Sequence, residues 1–142
     1  MSYTDTFIRV AEDCPVETGI PPVSSRPLPS AHVIQYELLS SEPYTYTHQE
    51  LLYEVHVRHK QIPLEERIDR REEIWQELFS KKHPCLRASM LPKKYGWGVH
   101  FNSAGKIAIY GKESPEYDHF VSGGQDVTLL LAMRSKRSST RT

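Results

Sequence analysis

Only two cysteines, Cys14 and Cys85, occur in 142 residues, and neither sits in a CxxC pair. Zinc-finger and thioredoxin-like chemistry is thereby excluded, and both read as free thiols. Long hydrophobic runs are missing as well. The longest apolar stretch, Val127 to Met133, falls far short of the ~20 residues that a membrane helix requires. The opening MSYTDTFIRV has no basic region followed by an apolar run and no small-residue cleavage site, which argues against secretion. These absences together predict a cytoplasmic protein with no membrane segment. The net charge is zero, so overall charge gives no nucleic-acid footprint, and no specific nucleic-acid recognition is predicted. No P-loop, GxGxxG, GxSxG, HExxH or paired-carboxylate pattern occurs, and no cofactor is predicted.

What the chain does have is the length of one domain, with 38% apolar and 25% charged residues. A chain of that size buries roughly 68–70% of its unfolded surface, enough for a core without covalent staples, and the composition argues against bulk disorder despite the ten prolines. The neutral charge conceals blocks. Residues 1–46 carry Asp5, Glu12, Asp13, Glu17, Glu37 and Glu42 against only Arg9 and Arg26. Residues 84–112 carry Arg87, Lys93, Lys94, Lys106 and Lys112 with no acid. Acids return between 113 and 133, and cations close the chain.

The fold class predicted is α+β, with a small, mostly antiparallel sheet. Residues 5–10 and 32–39 alternate apolar and polar side chains and predict strands. Between them, Pro15, Pro21, Pro22, Pro27 and Pro29 with interspersed serines predict an extended surface connection. Thr47 and Glu50 have the spacing of a capping box and predict a helix over about 47–60. Tyr53, Val55 and Val57 also alternate there, which leaves a strand as the alternative. Pro63 at a first-turn position and the stripe Leu64, Ile68, Trp75, Leu78 and Phe79 predict a helix over about 63–82, ended by Pro84. Further strands are predicted over 85–90, 96–102 and 106–110, the last two joined by the Asn102–Gly105 turn. Ser114-Pro115-Glu116 predicts the start of a short helix over about 114–121, stopped at Gly123-Gly124. Val127 to Met133 suits a last strand. One domain over 1–133 and a basic, disordered tail over 134–142 complete the expected organisation.

Alternation along a strand over 85–90 would put Cys85, Arg87 and Ser89 on one face, and alternation along 97–101 would put Gly98 and His100 on the polar face there. If the apolar faces share a core, Arg87, Ser89 and His100 share the opposite side. Arg87 would then clamp a carboxylate or phosphate, Ser89 add a hydroxyl, and His100 give or take a proton. Lys94 and Trp97, in the KKYGW run, would add a cation and a stacking ring beside glycines that admit a ligand to the backbone. The bland reading is a solvated sheet face, with Trp97 in the core and the lysines in water. His56 and His59, three apart, have metal-ligand spacing, but a packed histidine is the simpler account of His59 beside Leu52 and Val55. Cys85 near His83 has no third group to orient a thiol nucleophile.

The runs SYTDTFIRVAEDCP, QYELL, PYTYTHQELLYEV, PCLRAS and KKYGWGVHFNSAGKIAIY together resemble an uncharacterised family of short, single-domain bacterial proteins, a domain of unknown function. The resemblance covers about residues 1–121 and leaves 122–142 outside it. It implies a single cytoplasmic domain and brings no activity, cofactor or catalytic residue. The leading functional expectation is therefore a small-ligand binding module in which Arg87, Ser89, Lys94, Trp97 and His100 hold an anionic metabolite or nucleotide. The alternatives are an enzyme using His100 or Cys85 with Arg87 as anion clamp, and a homo-oligomeric interaction protein built on the 127–133 run or the Trp75 helix face.

Overall fold

The structure is a computed structural model describing residues 3–23, 29–123 and 126–135. It is an α+β fold with a four-stranded mixed sheet. The elements in chain order are β1 (Thr6–Arg9), α1 (Ala31–Ser41), α2 (His48–His59), α3 (Leu64–Asp69), α4 (Arg71–Phe79), α5 (Met90–Lys94), β2 (Trp97–Phe101), β3 (Ile107–Gly111), α6 (Pro115–Val121) and β4 (Thr128–Leu131). The sheet order is β3-β2-β1-β4. β2 pairs antiparallel with β1 and with β3, whereas β4 runs parallel to β1. The parallel pairing follows from topology, because the chain leaves β3, crosses the sheet through α6 and re-enters beside β1. Among the described residues no helix is long and apolar enough to cross a membrane.

Several elements form as their residues dictate. Thr47 and Glu50 make the complete capping box of α2: the Thr47 hydroxyl accepts from the Glu50 amide at 3.3 Å, and the Glu50 carboxylate accepts from the Thr47 amide at 2.9 Å. α2 is thus a helix, not a strand. In the β2–β3 turn, the Asn102 side-chain oxygen accepts from the amides of Ala104 and Lys106, and Gly105 supplies the positive φ of +76° that a side chain would resist. Ser114 caps α6 by accepting from the Tyr117 amide at 3.2 Å, with Pro115 at the first helical position.

Three expectations are corrected. Residues 32–39 form α1, not a strand. Val33, Ile34, Leu38 and Leu39 are all buried, a set that needs the three-to-four-residue period of a helix, and the even-numbered alternation over Ile34, Tyr36 and Leu38 is a coincidence of that pattern. Residues 85–90 do not form a strand either. Leu86–Ala88 make a single 3-10 turn, and Ser89 then caps α5 by accepting from the Leu91 amide. Six residues carry too little alternation to compete with a serine cap followed by a first-turn proline, Pro92. The long 63–82 helix is two helices, broken where Arg70 leaves helical geometry at φ −117°, ψ 24°. Leu64 and Ile68 accordingly fall off the buried stripe and stand 67% and 70% exposed. Of the expected basic tail, Arg134 pairs with Glu12 at 3.0 Å and the Ser135 amide donates to Asp13, and 136–142 lie outside the described residues.

The sheet separates two packed layers. On one face Ile8, Val99, Phe101 and Ile107 join Ile34, Leu38, Leu39, Leu51, Leu86 and Leu91 in the main core. On the other face Phe7 and Val10 pack with Tyr117 and Phe120 of α6. A third cluster, Tyr53, Val57, Ile74 and Leu78, seals α2 to α4. The α6 face depends on Gly98 in mid-β2. A Cβ there would lie 2.4 Å from the Phe7 ring and 2.7 Å from the Tyr117 ring, closer than atoms pack. Gly98→Ala should therefore lift α6 from the sheet and destabilise the fold by roughly 1–3 kcal/mol. Urea unfolding measures this, and a wild-type midpoint in the variant would show that α6 does not need this approach.

Candidate functional site

His100 faces α6 because β2 alternates. Trp97, Val99 and Phe101 point toward the main core, and Gly98 and His100 point the other way, where His100 stands opposite Phe7 on β1 and Ala108 on β3. Its imidazole lies against the Phe120 ring, centroids 4.3 Å apart. Nδ1 is held 2.8 Å from the Tyr44 hydroxyl, and that hydroxyl is 2.8 Å from the hydroxyl of Tyr110. Nε2 has no hydrogen-bond partner among the described residues.

Tyr44 reaches this position through an unusual backbone. It lies in the connection between α1 and α2 with φ +58°, a left-handed conformation that is an outlier for a bulky side chain. Its amide donates to the Ile107 carbonyl at 2.8 Å, pinning the loop to the edge strand β3. Such strain costs on the order of 1–3 kcal/mol and persists only where surrounding contacts enforce it. Asp5, another of the three non-glycine residues with positive φ among those described, lies on the other side of His100.

Two clefts meet at the imidazole. One, of about 510 Å³, is lined by Tyr44, Tyr110, Pro115, Glu116, His119 and Phe120. The other, of about 570 Å³, is lined by Thr4, Asp5, Asn102, Ser103, Asp126 and Thr128 together with Val127. Among the described residues His100 is the one side chain that lines both. Burial pushes its pKa below the ordinary value of 6.5, with the Asp5 carboxylate opposing that shift. The imidazole is therefore neutral near pH 7. Burial, reinforced by the Tyr110 hydrogen bond, raises the Tyr44 hydroxyl far above its usual range, so it acts as a neutral donor and acceptor. The site is a hydrogen-bonded chain of one imidazole and two phenol hydroxyls, along which neighbouring groups can pass a proton.

The five residues expected to form a site do not converge. Trp97 lies on the main-core face, its indole N–H donating to the Ile20 carbonyl at 2.9 Å and its ring against Tyr36. Ser89 caps α5 and donates to the Gln35 side chain. Lys94 is exposed in the last turn of α5. Arg87 belongs to the segment whose Leu86 enters the main core, across the sheet from His100. The reason is the lost strand over 85–90: without it there is no second alternating face to bring Arg87 and Ser89 beside His100. Cys85 sits beside the Tyr3 hydroxyl, also away from His100, and His83 is held by the Leu78 carbonyl at 2.6 Å. Both cysteines are free thiols. His59 is exposed instead of packed, and His56 lines a separate cleft with Glu77 and His83. Among the described residues no group of three or more His, Cys, Asp or Glu side chains has metal-binding geometry.

Arg87 has a different task. Its side-chain Nε donates to the Leu131 carbonyl at 2.7 Å, and its own carbonyl accepts from the Met133 amide at 2.8 Å. These are the groups that β4 turns away from β1, so Arg87 covers part of a free sheet edge. Tyr44, Tyr110, Glu116, His119 and Phe120 had no part in the expected site. The signal for Tyr110 was present, because the Asn102–Gly105 turn fixes the hairpin register that puts Tyr110 and His100 on one face. Nothing local marked Tyr44.

Over residues 1–138 the chain matches, and it belongs to, a family of unknown function (DUF6157). The match extends well past residue 121 and takes in β4. No curated protein and no solved structure matches the chain.

Because the folded pKa of His100 is depressed, the unfolded chain takes up its proton first as pH falls through 6.5, and stability present above that pH is lost below it. His32 and His56 are shifted the same way by burial. Replacing His100 with glutamine should flatten this acid-side loss in a series of urea melts between pH 7 and 5. An unchanged slope would show that His100 is not the group responsible. Arg87→Ala should cost about 1 kcal/mol and increase self-association through β4, where Leu129, Leu131 and Met133 are already 40%, 37% and 51% exposed. Light scattering at matched concentrations reads the second effect, and a strictly monomeric variant of full stability would rule out the edge-covering role.

Proposed function

We propose that the protein is a binding module for a small, uncharged aromatic ligand, held in the cleft between α6 and the β2–β3 hairpin. The observation that carries the reading is the convergence of two hydroxyls and an imidazole on a cleft walled by aromatic rings. A cleft of about 510 Å³ is within the range of small-molecule sites, which pair apolar walls with a few placed polar groups. The half-buried Tyr110 offers its ring, Phe120, buried against Phe7 and His100, closes the cleft floor, and the hydroxyls of Tyr44 and Tyr110 together with His119 offer hydrogen bonds to one polar edge. Among the described residues the lining includes Glu116 and no lysine or arginine, which disfavours the anionic ligand expected from the acid-free 84–112 segment. Of its cations, Arg87 is engaged at β4 and Lys94 stands exposed on α5, and a nucleobase-like or phenolic ring suits the cleft better than a phosphate.

Titration of uncharged nucleobases and phenols into the labelled full chain, followed by amide NMR, tests this reading. The expected result is saturable shifts confined to 43–46, 98–101, 107–111 and 115–121, with dissociation constants of roughly 10⁻⁵ to 10⁻³ M for fragments of this size. Shifts confined to the Lys93–Lys94 turn, and produced only by the phosphorylated or carboxylated counterparts, would instead support the anion site and overturn the cleft.

A further inference from the structure

The hydrogen-bond chain at the cleft has two ends of different chemistry. One is Nε2 of His100, which has no partner among the described residues and belongs to the only described side chain that lines both clefts. The other is the Tyr110 hydroxyl, whose sole hydrogen bond among the described residues is to Tyr44. Between them Tyr44 touches both Nδ1 and Tyr110 at 2.8 Å. An imidazole and two phenol hydroxyls in line can hold their protons in two ways. In one, Nδ1–H donates to Tyr44 and Tyr44 donates to Tyr110, which leaves Nε2 a bare base and the Tyr110 O–H a donor into the cleft. In the other every proton has moved one place, so Nε2 carries a proton and the Tyr110 oxygen is left to accept.

We infer that this chain is a two-ended proton relay and that the cleft tautomerises its ligand, a conjugated uncharged aryl carbonyl compound that exchanges keto and enol forms. The inference rests on the ligand-binding reading of the same cleft. The step balances within the site. The C–H bond adjacent to the carbonyl breaks and its proton goes to Nε2. The freed electron pair forms the C=C bond, and the C=O π pair moves to oxygen. That oxygen takes the Tyr110 proton, Tyr110 takes the Tyr44 proton, and Tyr44 takes the proton from Nδ1. The ligand leaves as the enol with the chain in its second arrangement, and solvent water, taking the Nε2 proton and returning one at Tyr110, shifts each relay proton back and resets it. No oxidant, reductant or net charge is required. Phe120 against the imidazole and the apolar cleft wall limit competing water, and Tyr44 is a positioning residue that fixes Nδ1 and joins the two ends.

Titratable groups surround the relay on each side: Asp5 and Asp126 in the polar cleft, and Glu116 and His119 on α6. A rate dependent on neutral His100 should rise from acid toward neutral pH. The test is the keto–enol interconversion of benzoylacetone, followed by absorbance with the full chain, alongside amide NMR for binding. The wild type should exceed the buffer rate, His100→Gln should lose roughly 10²-fold of that acceleration, and the exposed Lys94→Ala control should keep it. Tyr44→Phe and Tyr110→Phe each cut the relay while leaving ring contacts intact. They should lose the acceleration while NMR still detects binding, weakened by roughly tenfold for the lost hydrogen bond, and circular dichroism confirms that each variant folds. Wild-type acceleration in either tyrosine variant, or in His100→Gln, overturns the relay. Binding of the diketone without acceleration overturns the relay and leaves the binding module standing, as does binding of nucleobases alone. No binding by either class overturns both.

Discussion

Phe7 and Tyr117 meet over the bare backbone of Gly98, and the α6 side of the molecule follows from that contact. With no side chain between them, the two rings sit edge to face at 5.2 Å, and Phe7 stacks on Phe120 at 4.6 Å. Each such pair adds roughly 0.5–1.5 kcal/mol beyond the area it buries. The Tyr117 hydroxyl accepts from the Val10 amide at 2.8 Å, which satisfies a buried donor just past the end of β1 and anchors the helix to the sheet. A seven-residue helix has little stability of its own. It exists here because the sheet offers a hollow that two aromatic rings fill.

Seating α6 is also what gives His100 its chemistry. The imidazole would otherwise stand on an open sheet face, protonating near its ordinary pKa. Phe120 covers one side of it, and the loop carrying Tyr44 closes another. The strained Tyr44 backbone is held by the Ile107 carbonyl on β3, so the hydrogen-bonded chain of His100, Tyr44 and Tyr110 is assembled from three separate chain segments, each fixed by the sheet. Main-core packing on the opposite face keeps β2 and β3 rigid beneath it. The same sheet therefore serves as core on one side and as site floor on the other.

Much of the fold was legible because local rules and tertiary packing agreed. The Thr47 capping box, the Ser114-Pro115 start and the Asn102–Gly105 turn each satisfy backbone groups with neighbouring side chains, so no distant contact can easily override them. The readings that failed relied on short alternation alone. Over 32–39 both periods fit, and only burial of Leu39 beneath α2 and the sheet selects the helix. Over 85–90 the apparent strand lost to a serine cap. That single loss removed Arg87 and Ser89 from the expected site and gave Arg87 the sheet edge instead. The sequence did mark His100 as a residue to watch, because it alternates with three large apolar neighbours.

The residues by themselves determined the α+β class, most element positions, the hairpin register and the face that His100 shares with Tyr110. These depend on hydrogen bonds and side-chain direction within a few residues, or across one tight turn. Only the tertiary structure decided which segments meet that face. Tyr44 lies 56 positions from His100, in a loop whose left-handed turn is enforced by β3 and not by its own sequence. The parallel placement of β4, the route of α6 and the edge role of Arg87 are likewise long-range outcomes. They are set by which surfaces bury each other, and no local preference encodes that choice.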